Sequence, residues 1–450
     1  MKKIIEMRNI RFKRLFFMGM ALLCVGCTSE IEPYGPVPTE AQLAWQRMEI
    51  NMFCHFGPNT FTGKEWGDGT ESEELFNPTA LDCRQWVDVA EQAGMGGIII
   101  TAKHHDGFCL WPSAQSTHTV AQSPWRDGKG DVLRELRDAC QGRVKMGVYV
   151  SPWDRNHPTY GTPEYNTVFA NTLREVHEGY GPLFEQWFDG ACGEGPNGKK
   201  QEYDWPLFNG TVASLNPDAV IFSDYGPGCR WVGNEEGRAD TTCWSTLDSA
   251  WVPVEADVSI RPGWFWHADE HPKSVDELME IYYNTVGRNS LLLLNVPPDN
   301  RGLIPAEDSA VLVAFRRERD RIFANDLLQG AKAKGRHRCG YPARNMLDTS
   351  YHTYWASKGD GPDTLTFIQP MPFTSNLIVL QEYIPLGQRV TAFHLEFRDC
   401  GQWWPLASGT TIGHKRFIRL PSLLTSGLRL IIDSALAPPV LNRLAIYSTK

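Results

Sequence analysis

At 450 residues the chain is too long for one ordinary domain, and its 42% hydrophobic and 22% charged residues suffice to bury two sizeable cores. The formal net charge of −9 argues against nucleic acid, whose partners present a basic face to the phosphates. Sixteen Trp is a high number, and thirteen of them lie between Trp45 and Trp266. Their flat apolar faces suit the C–H faces of sugar rings, although a single Trp more often belongs to the core.

The chain opens with a basic region (Lys2, Lys3, Arg8, Arg11, Lys13, Arg14), then an apolar run from Leu15 to Val25 that is too short to span a bilayer. Gly26-Cys27 and the polar Thr28-Ser29-Glu30 follow. This order reads as an export signal over residues 1–27, with Cys27 lipid-modified as in a bacterial lipoprotein at the cell surface or in the periplasm. Plain secretion is the alternative. No later stretch is long and apolar enough for a transmembrane helix. Of eleven Cys, nine lie beyond Cys24 and Cys27, and their odd number without CxxC pairs fits neither a disulfide framework nor a structural zinc site.

Residues 28–40 are Pro-rich and read as a tether. Over 41–330, apolar runs alternate with amphipathic stretches. The runs are Ile50–Phe53, Gly97–Thr101, Val144–Val150, Leu183–Phe188, Ala219–Ser223, Trp264–Trp266 and Leu291–Val296. The predicted helices are Cys83–Ala93, Asp131–Cys140, Glu164–Glu178, Val275–Val286 and Ala306–Ala324, with apolar residues at three-and-four spacing such as Val132, Leu133, Leu136 and Ala139. The alternation implies a parallel sheet with its helices outside, and the number of units fits a (β/α)8-like barrel. A doubly wound open sheet is the runner-up, but no glycine-rich phosphate loop follows the first strand. Over 340–450, short β-type runs separated by turn residues predict a β-sandwich: Thr364–Ile368, Asn376–Gln381, Thr391–Phe397, Arg416–Leu420 and Leu428–Ile432.

A barrel places its chemistry just after the C-terminal ends of the strands. His55, His104-His105-Asp106, Trp153-Asp154, Asp189 and Trp266-His267 all stand at such positions. Asp189, beside Gly190, suits a nucleophile, although an Asp there can also serve as a helix cap or turn residue. The His pair suits hydrogen bonding to hydroxyls better than metal binding, since no third ligand stands at a suitable spacing. The glycine-rich loop from Asp224 to Gly237 carries Glu235-Glu236 and is long enough to fold over a barrel mouth.

Several motifs in order carry a resemblance. HFGPNTF at 55–61, KHHDGF at 103–108, EQWFDGA at 185–191, WVGNE at 231–235 and SIRPGWFWH at 259–267 resemble glycoside hydrolase family 29, the α-L-fucosidases. The loop RWVGNE and QEYIPLGQRV at 381–390 are similar to the subgroup acting on α-1,3/1,4-linked fucose. The resemblance implies a barrel followed by a β-sandwich, a fucosylated oligosaccharide or glycoconjugate as substrate, and no metal or organic cofactor. By the same resemblance Asp189 is the nucleophile and Glu235, rather than the adjacent Glu236, the acid/base. His55, Glu65, Trp66, His104, His105, Trp187 and Trp266 would line the fucose pocket, with Trp266 and Phe56 as an aromatic wall for the sugar methyl. Cys192 stands where Asn is expected, which bears on hydrogen bonding beside the nucleophile. A sugar-binding lipoprotein without catalysis and a transfucosylase are the alternatives.

Overall fold

The computed structural model describes residues 30–224, 226–244, 247–359 and 362–450. The export signal and Cys27 lie outside the described residues. Eight parallel strands close a barrel in sequence order: β1 (Ile50–Cys54), β2 (Gly97–Lys103), β3 (Lys145–Val150), β4 (Glu185–Trp187), β5 (Val220–Ser223), β6 (Cys229–Trp231), β7 (Val254–Ser259) and β8 (Ser290–Asn295). Closure runs through β1 and β8, with Met52 opposite Leu294. Runs such as Ile98–Thr101 and Leu291–Leu294 are buried throughout because one face meets the barrel interior and the other meets helices.

The longer helices are α1 (Glu40–Met48), α2 (Cys83–Ala93), α3 (Val132–Cys140), α4 (Pro163–Tyr180), α5 (Trp205–Leu215), α6 (Val275–Asn284) and α7 (Ala306–Phe323). In α2, Cys83, Trp86, Val87, Ala90 and Ala93 form the buried stripe. Asp82 caps its first turn through Arg84 N–H, and Gly94 ends it in the left-handed region. No helix among the described residues is long and apolar enough to cross a membrane.

Helix α1 closes the floor of the barrel. Trp45 packs with Phe53, Tyr149, Trp187 and Leu293 in the interior cluster, and its indole N–H donates to Glu185 Oε2 at 2.6 Å. That cluster plugs the lower barrel and leaves the C-terminal rim of the strands for a cavity.

Two strands differ from the sequence reading. Trp264–Trp266 is not a strand; the seventh is Val254–Ser259. The sixth, only three residues long, lies within the segment expected to be a loop.

The C-terminal domain is an antiparallel sheet of β9 (Lys332–Lys334), β10 (Trp355–Ala356), β11 (Asp363–Glu382), β12 (Val390–Asp399), β13 (Gln402–Gly409), β14 (Arg416–Ala435) and β15 (Val440–Tyr447), ordered β10-β15-β11-β14-β12-β13 with β9 on β11. The runs Thr364–Ile368 and Asn376–Gln381 are the two halves of β11, joined across register shifts. Arg416–Leu420 and Leu428–Ile432 are likewise halves of β14. Leu365 and Phe367 from one half of β11 share a core with Ile378 and Leu380 from the other, so the folded sheet encloses its own interior. Its outer face docks on the barrel helices, with Phe417 packed against Tyr282 and Phe323 at ring-centroid distances of 5.7 and 5.6 Å.

Residues 30–36 lie along this sheet domain. Tyr34 N–H donates to Leu386 O at 3.1 Å, and the Arg389 guanidinium donates to Glu32 O at 2.6 Å.

Candidate active site

A cavity of about 250 Å³ opens at the C-terminal rim of the barrel. Its size suits one small ring more than an extended ligand, since drug-sized pockets start at roughly 300 Å³. Asp189, just past β4, is held on both oxygens. Oδ2 accepts from Tyr149 Oη at 2.9 Å, and Oδ1 accepts from Ala191 N–H at 2.8 Å. Burial pushes the Asp189 pKa up, while these two hydrogen bonds pull against it by stabilising the anion. His105 Nε2 lies 3.7 Å from Oδ2.

Three imidazoles crowd the same wall. His55 pairs through Nδ1 with Asn295 Oδ1 at 2.9 Å, and His105 pairs through Nδ1 with Ser151 Oγ at 2.8 Å. Burial lowers the pKa of each to about 3. Burial, with the neighbouring His105 and His55, also holds His104 well below its ordinary value. All three rings are therefore neutral at physiological pH, able to donate or accept to uncharged hydroxyls. Among the described residues, His104 Nδ1 is a buried atom with no hydrogen-bond partner.

Trp264 stands beside His55, with ring centroids 5.1 Å apart. Its backbone N–H donates to Glu65 Oε2 at 2.8 Å, its carbonyl accepts from Asn295 at 2.8 Å, and its indole N–H reaches Glu235 Oε2 at 3.3 Å. Glu65 is fixed from its other oxygen by His267 at 2.6 Å. Trp187 forms the floor, stacked on Phe222 with ring centroids 4.0 Å apart and donating to Glu255 Oε1 at 2.8 Å. Trp66 stands at the lip, 56% exposed, its ring edge-on to His105. A Cβ at position 190 would sit 2.4 Å from Asp224 Oδ2, so glycine lets that carboxyl approach the backbone next to Asp189.

The α-L-fucosidase family model matches residues 38–316. The Arabidopsis thaliana protein named alpha-L-fucosidase 1 is 41% identical, over 97% of this chain and 94% of its own. The chain belongs to the α-L-fucosidase family, glycoside hydrolase family 29. A Ruminococcus gnavus fucosidase of this family, solved in complex with fucose, superimposes with a TM-score of 0.88 at 31% identity, over 95% of this chain and 97% of its own. A family 29 member from an unknown rumen bacterium superimposes with a TM-score of 0.83 at 41% identity, covering 93% and 78%. The molecule is an α-L-fucosidase built on a barrel with an antiparallel sheet domain, and the cavity is its candidate active site.

Of the residues singled out in the sequence, His55, Glu65, Trp66, His104, His105, Trp187, Asp189 and Glu235 all line this one cavity. Trp266 does not. The segment after β7 turns instead of extending, and the side chain it aims inward is Trp264. Phe56 is also displaced from the expected wall; it is buried against Phe76 and Trp86, and Phe53 takes the cavity position. Glu236 is exposed and outside the cavity. Asp154 is committed to a buried ion pair with Lys103 at 3.0 Å, and Asp106 caps the turn at Phe108. Cys192 does not line the cavity; its thiol lies 3.4 Å from Gln201 O. Tyr149, Asp224, Trp231 and Asp257 also line the cavity and were missed. Tyr149 falls inside an apolar run and reads as core. Asp224 follows the apolar run Ala219–Ser223 and reads as the start of a loop, while Trp231 and Asp257 sit in β6 and β7, which carry no apolar run.

Proposed function

We propose that this α-L-fucosidase is a retaining exo-enzyme that removes terminal α-1,3/1,4-linked fucose from oligosaccharides or glycoconjugates. The reading rests above all on one observation: Asp189 and Glu235, 46 positions apart in sequence, line one cavity of single-sugar size. Retention requires one carboxylate to attack and a second carboxyl to deliver a proton. Asp189 suits the first task, because Tyr149 and the Ala191 N–H stabilise its anion and aim its oxygens. It attacks the anomeric carbon and forms a covalent fucosyl-enzyme.

Glu235 suits the second task, because it sits on a loop at the mouth where the leaving sugar departs. It protonates the leaving oxygen, and its carboxylate then takes a proton from the water that releases fucose. Neutral His55, His104 and His105, with Glu65, bind the ring hydroxyls. Trp264 and Phe53 offer the apolar surface that the sugar methyl requires. A hydroxyl-binding group left buried and unpaired costs about 1–3 kcal/mol, so sugars lacking these hydroxyls bind poorly.

The linkage preference rests on the resemblance of RWVGNE and QEYIPLGQRV to the α-1,3/1,4 subgroup. By the residue order at 1–27, the enzyme is exported and carries a lipid at Cys27. Two experiments test the reading. Asp189→Gly abolishes hydrolysis of an aryl α-L-fucoside, and added azide restores turnover as a fucosyl azide; full activity in this variant overturns the nucleophile. A panel of α-1,2-, α-1,3-, α-1,4- and α-1,6-fucosylated oligosaccharides tests the linkage, and equal rates on all four overturn the preference.

A further inference from the structure

The inward side chains of β7 tie the cavity walls together. Glu255 accepts from the Trp187 indole at the floor, and Ser259 accepts from Asn295, the partner of His55. Between them, Asp257 is 4% exposed, and its Oδ1 accepts from the Trp231 indole N–H at 2.7 Å. Trp231 ends β6 and stands four residues before Glu235. Between the two the chain leaves the sheet and turns at Gly233, whose φ is +90°. The exposed carboxyl of Glu235 is thus carried on a short irregular segment whose root is tied to β7 twice, by the Trp231 indole on Asp257 and by the Val232 N–H on Glu255 O at 2.9 Å.

We propose that Asp257 is a positioning residue for the catalytic acid: its carboxyl fixes the Trp231 indole, and through it the segment that holds Glu235 over the cavity. The assignment rests on reading Glu235 as the acid/base. Trp264, in the segment that follows β7, meets the Glu235 carboxyl, so the acid is held by two indoles, one holding its chain and one its oxygen. The Asp257 pKa is pushed up to about 7, by burial first and then by Glu235 and Asp189. Its anchoring task survives either protonation state, because a neutral carboxyl still offers a carbonyl oxygen to an indole N–H.

The role concerns protonation of the leaving group, and that separates it from a merely structural one. A displaced general acid penalises leaving groups that need a proton and spares those that do not. Trp231→Phe keeps the ring and removes the N–H, Asp257→Ala removes the acceptor, and Asp257→Asn keeps an acceptor oxygen of the same reach. Trp231→Phe and Asp257→Ala lower kcat/KM on an unactivated fucosyl oligosaccharide by about 10- to 100-fold, the scale expected for a misplaced group. On 4-nitrophenyl α-L-fucoside the loss is at least about tenfold smaller, and Asp257→Asn keeps the wild-type ratio between the two substrates. Equal losses on the two substrates, an unchanged Trp231→Phe, or an Asp257→Asn as impaired as Asp257→Ala each overturn the proposal. Trp231 is only half-buried, so its variant decides the matter even if Asp257→Ala fails to fold. A wild-type enzyme inert on the aryl fucoside overturns the functional reading itself, and this assignment with it.

Discussion

Tyr149 donates its phenolic hydrogen to Asp189 Oδ2 across 2.9 Å, so the proposed nucleophile is oriented by a neighbouring strand as well as by its own. Burial raises the Asp189 pKa, and this bond opposes the rise. In Tyr149→Phe the burial effect acts with less opposition, the carboxyl holds its proton more tightly, and the acidic limb of the kcat/KM profile moves to higher pH. A hydrogen bond to a charged group is worth about 1.5–3 kcal/mol, so kcat falls by roughly one to two orders of magnitude. Rates on an aryl fucoside across pH check both effects, and an unmoved acidic limb counts against the role.

Replacing Glu235 separates proton delivery from attack. Glu235→Ala slows the release of unactivated fucosides by about 10²- to 10⁴-fold, the usual worth of a general acid, and slows activated aryl fucosides far less. Glu236→Ala leaves both rates near wild type, because that side chain is exposed and outside the cavity. Paired kinetics on the two substrate types supply the measurement.

The buried pair Glu185 and Glu255 makes stability depend on pH. Both carboxyls are fully buried, and burial raises the pKa of each above the glutamate range. The folded chain therefore keeps protons that unfolded glutamates release above about pH 4.3. With more protons bound in the folded state, the contribution of this pair to stability is greatest at or below that pH and declines as pH rises toward the raised values. The buried neutral histidines act in the opposite direction but alike in both proteins, so the melting temperature of Glu185→Gln rises relative to wild type from pH 5 to 8. Parallel slopes for the two proteins refute the account.

Gly190→Ala disturbs the site with little effect on the fold. The added methyl meets the Asp224 carboxyl beside Asp189, and relieving the clash shifts one or both. A displacement near 1 Å costs about a hundredfold in rate, so kcat/KM drops while the thermal melt stays close to wild type.

Much of the site was legible because β1 and β2 are apolar runs that stop at polar residues, and because the aromatic Trp187-Phe188 ends at Asp189. His55, His104, His105 and Asp189 could be placed at the rim from that pattern alone. Strand β7 escaped because its sequence VEADVS alternates. Buried outward-facing Val254, Ala256 and Val258 flank Glu255 and Asp257, so the strand imitates one with a solvent-facing side although both sides are buried. Strand β6 is too short for any periodicity. Helix α5 carries Gly210 and a weak apolar stripe, and only Phe208, Thr211 and Val212 are buried. In the sheet domain, Pro370 and Pro372 read as a break between strands, whereas β11 passes them through a register shift between Ile368 and Phe373. Trp264 rather than Trp266 faces the cavity because tertiary bonds to Glu65 and Asn295 set the turn, and no local pattern encodes them.

The bonds from Leu386 and Arg389 to residues 32–34 mean that a pull applied upstream of residue 30 is borne by the sheet domain, not by the catalytic rim. The chain then reaches the barrel from beneath, through α1 and its Trp45 plug, while the cavity opens at the far end of the strands. An enzyme moored by its front end would accordingly present its mouth away from the mooring surface, toward glycans arriving from solution.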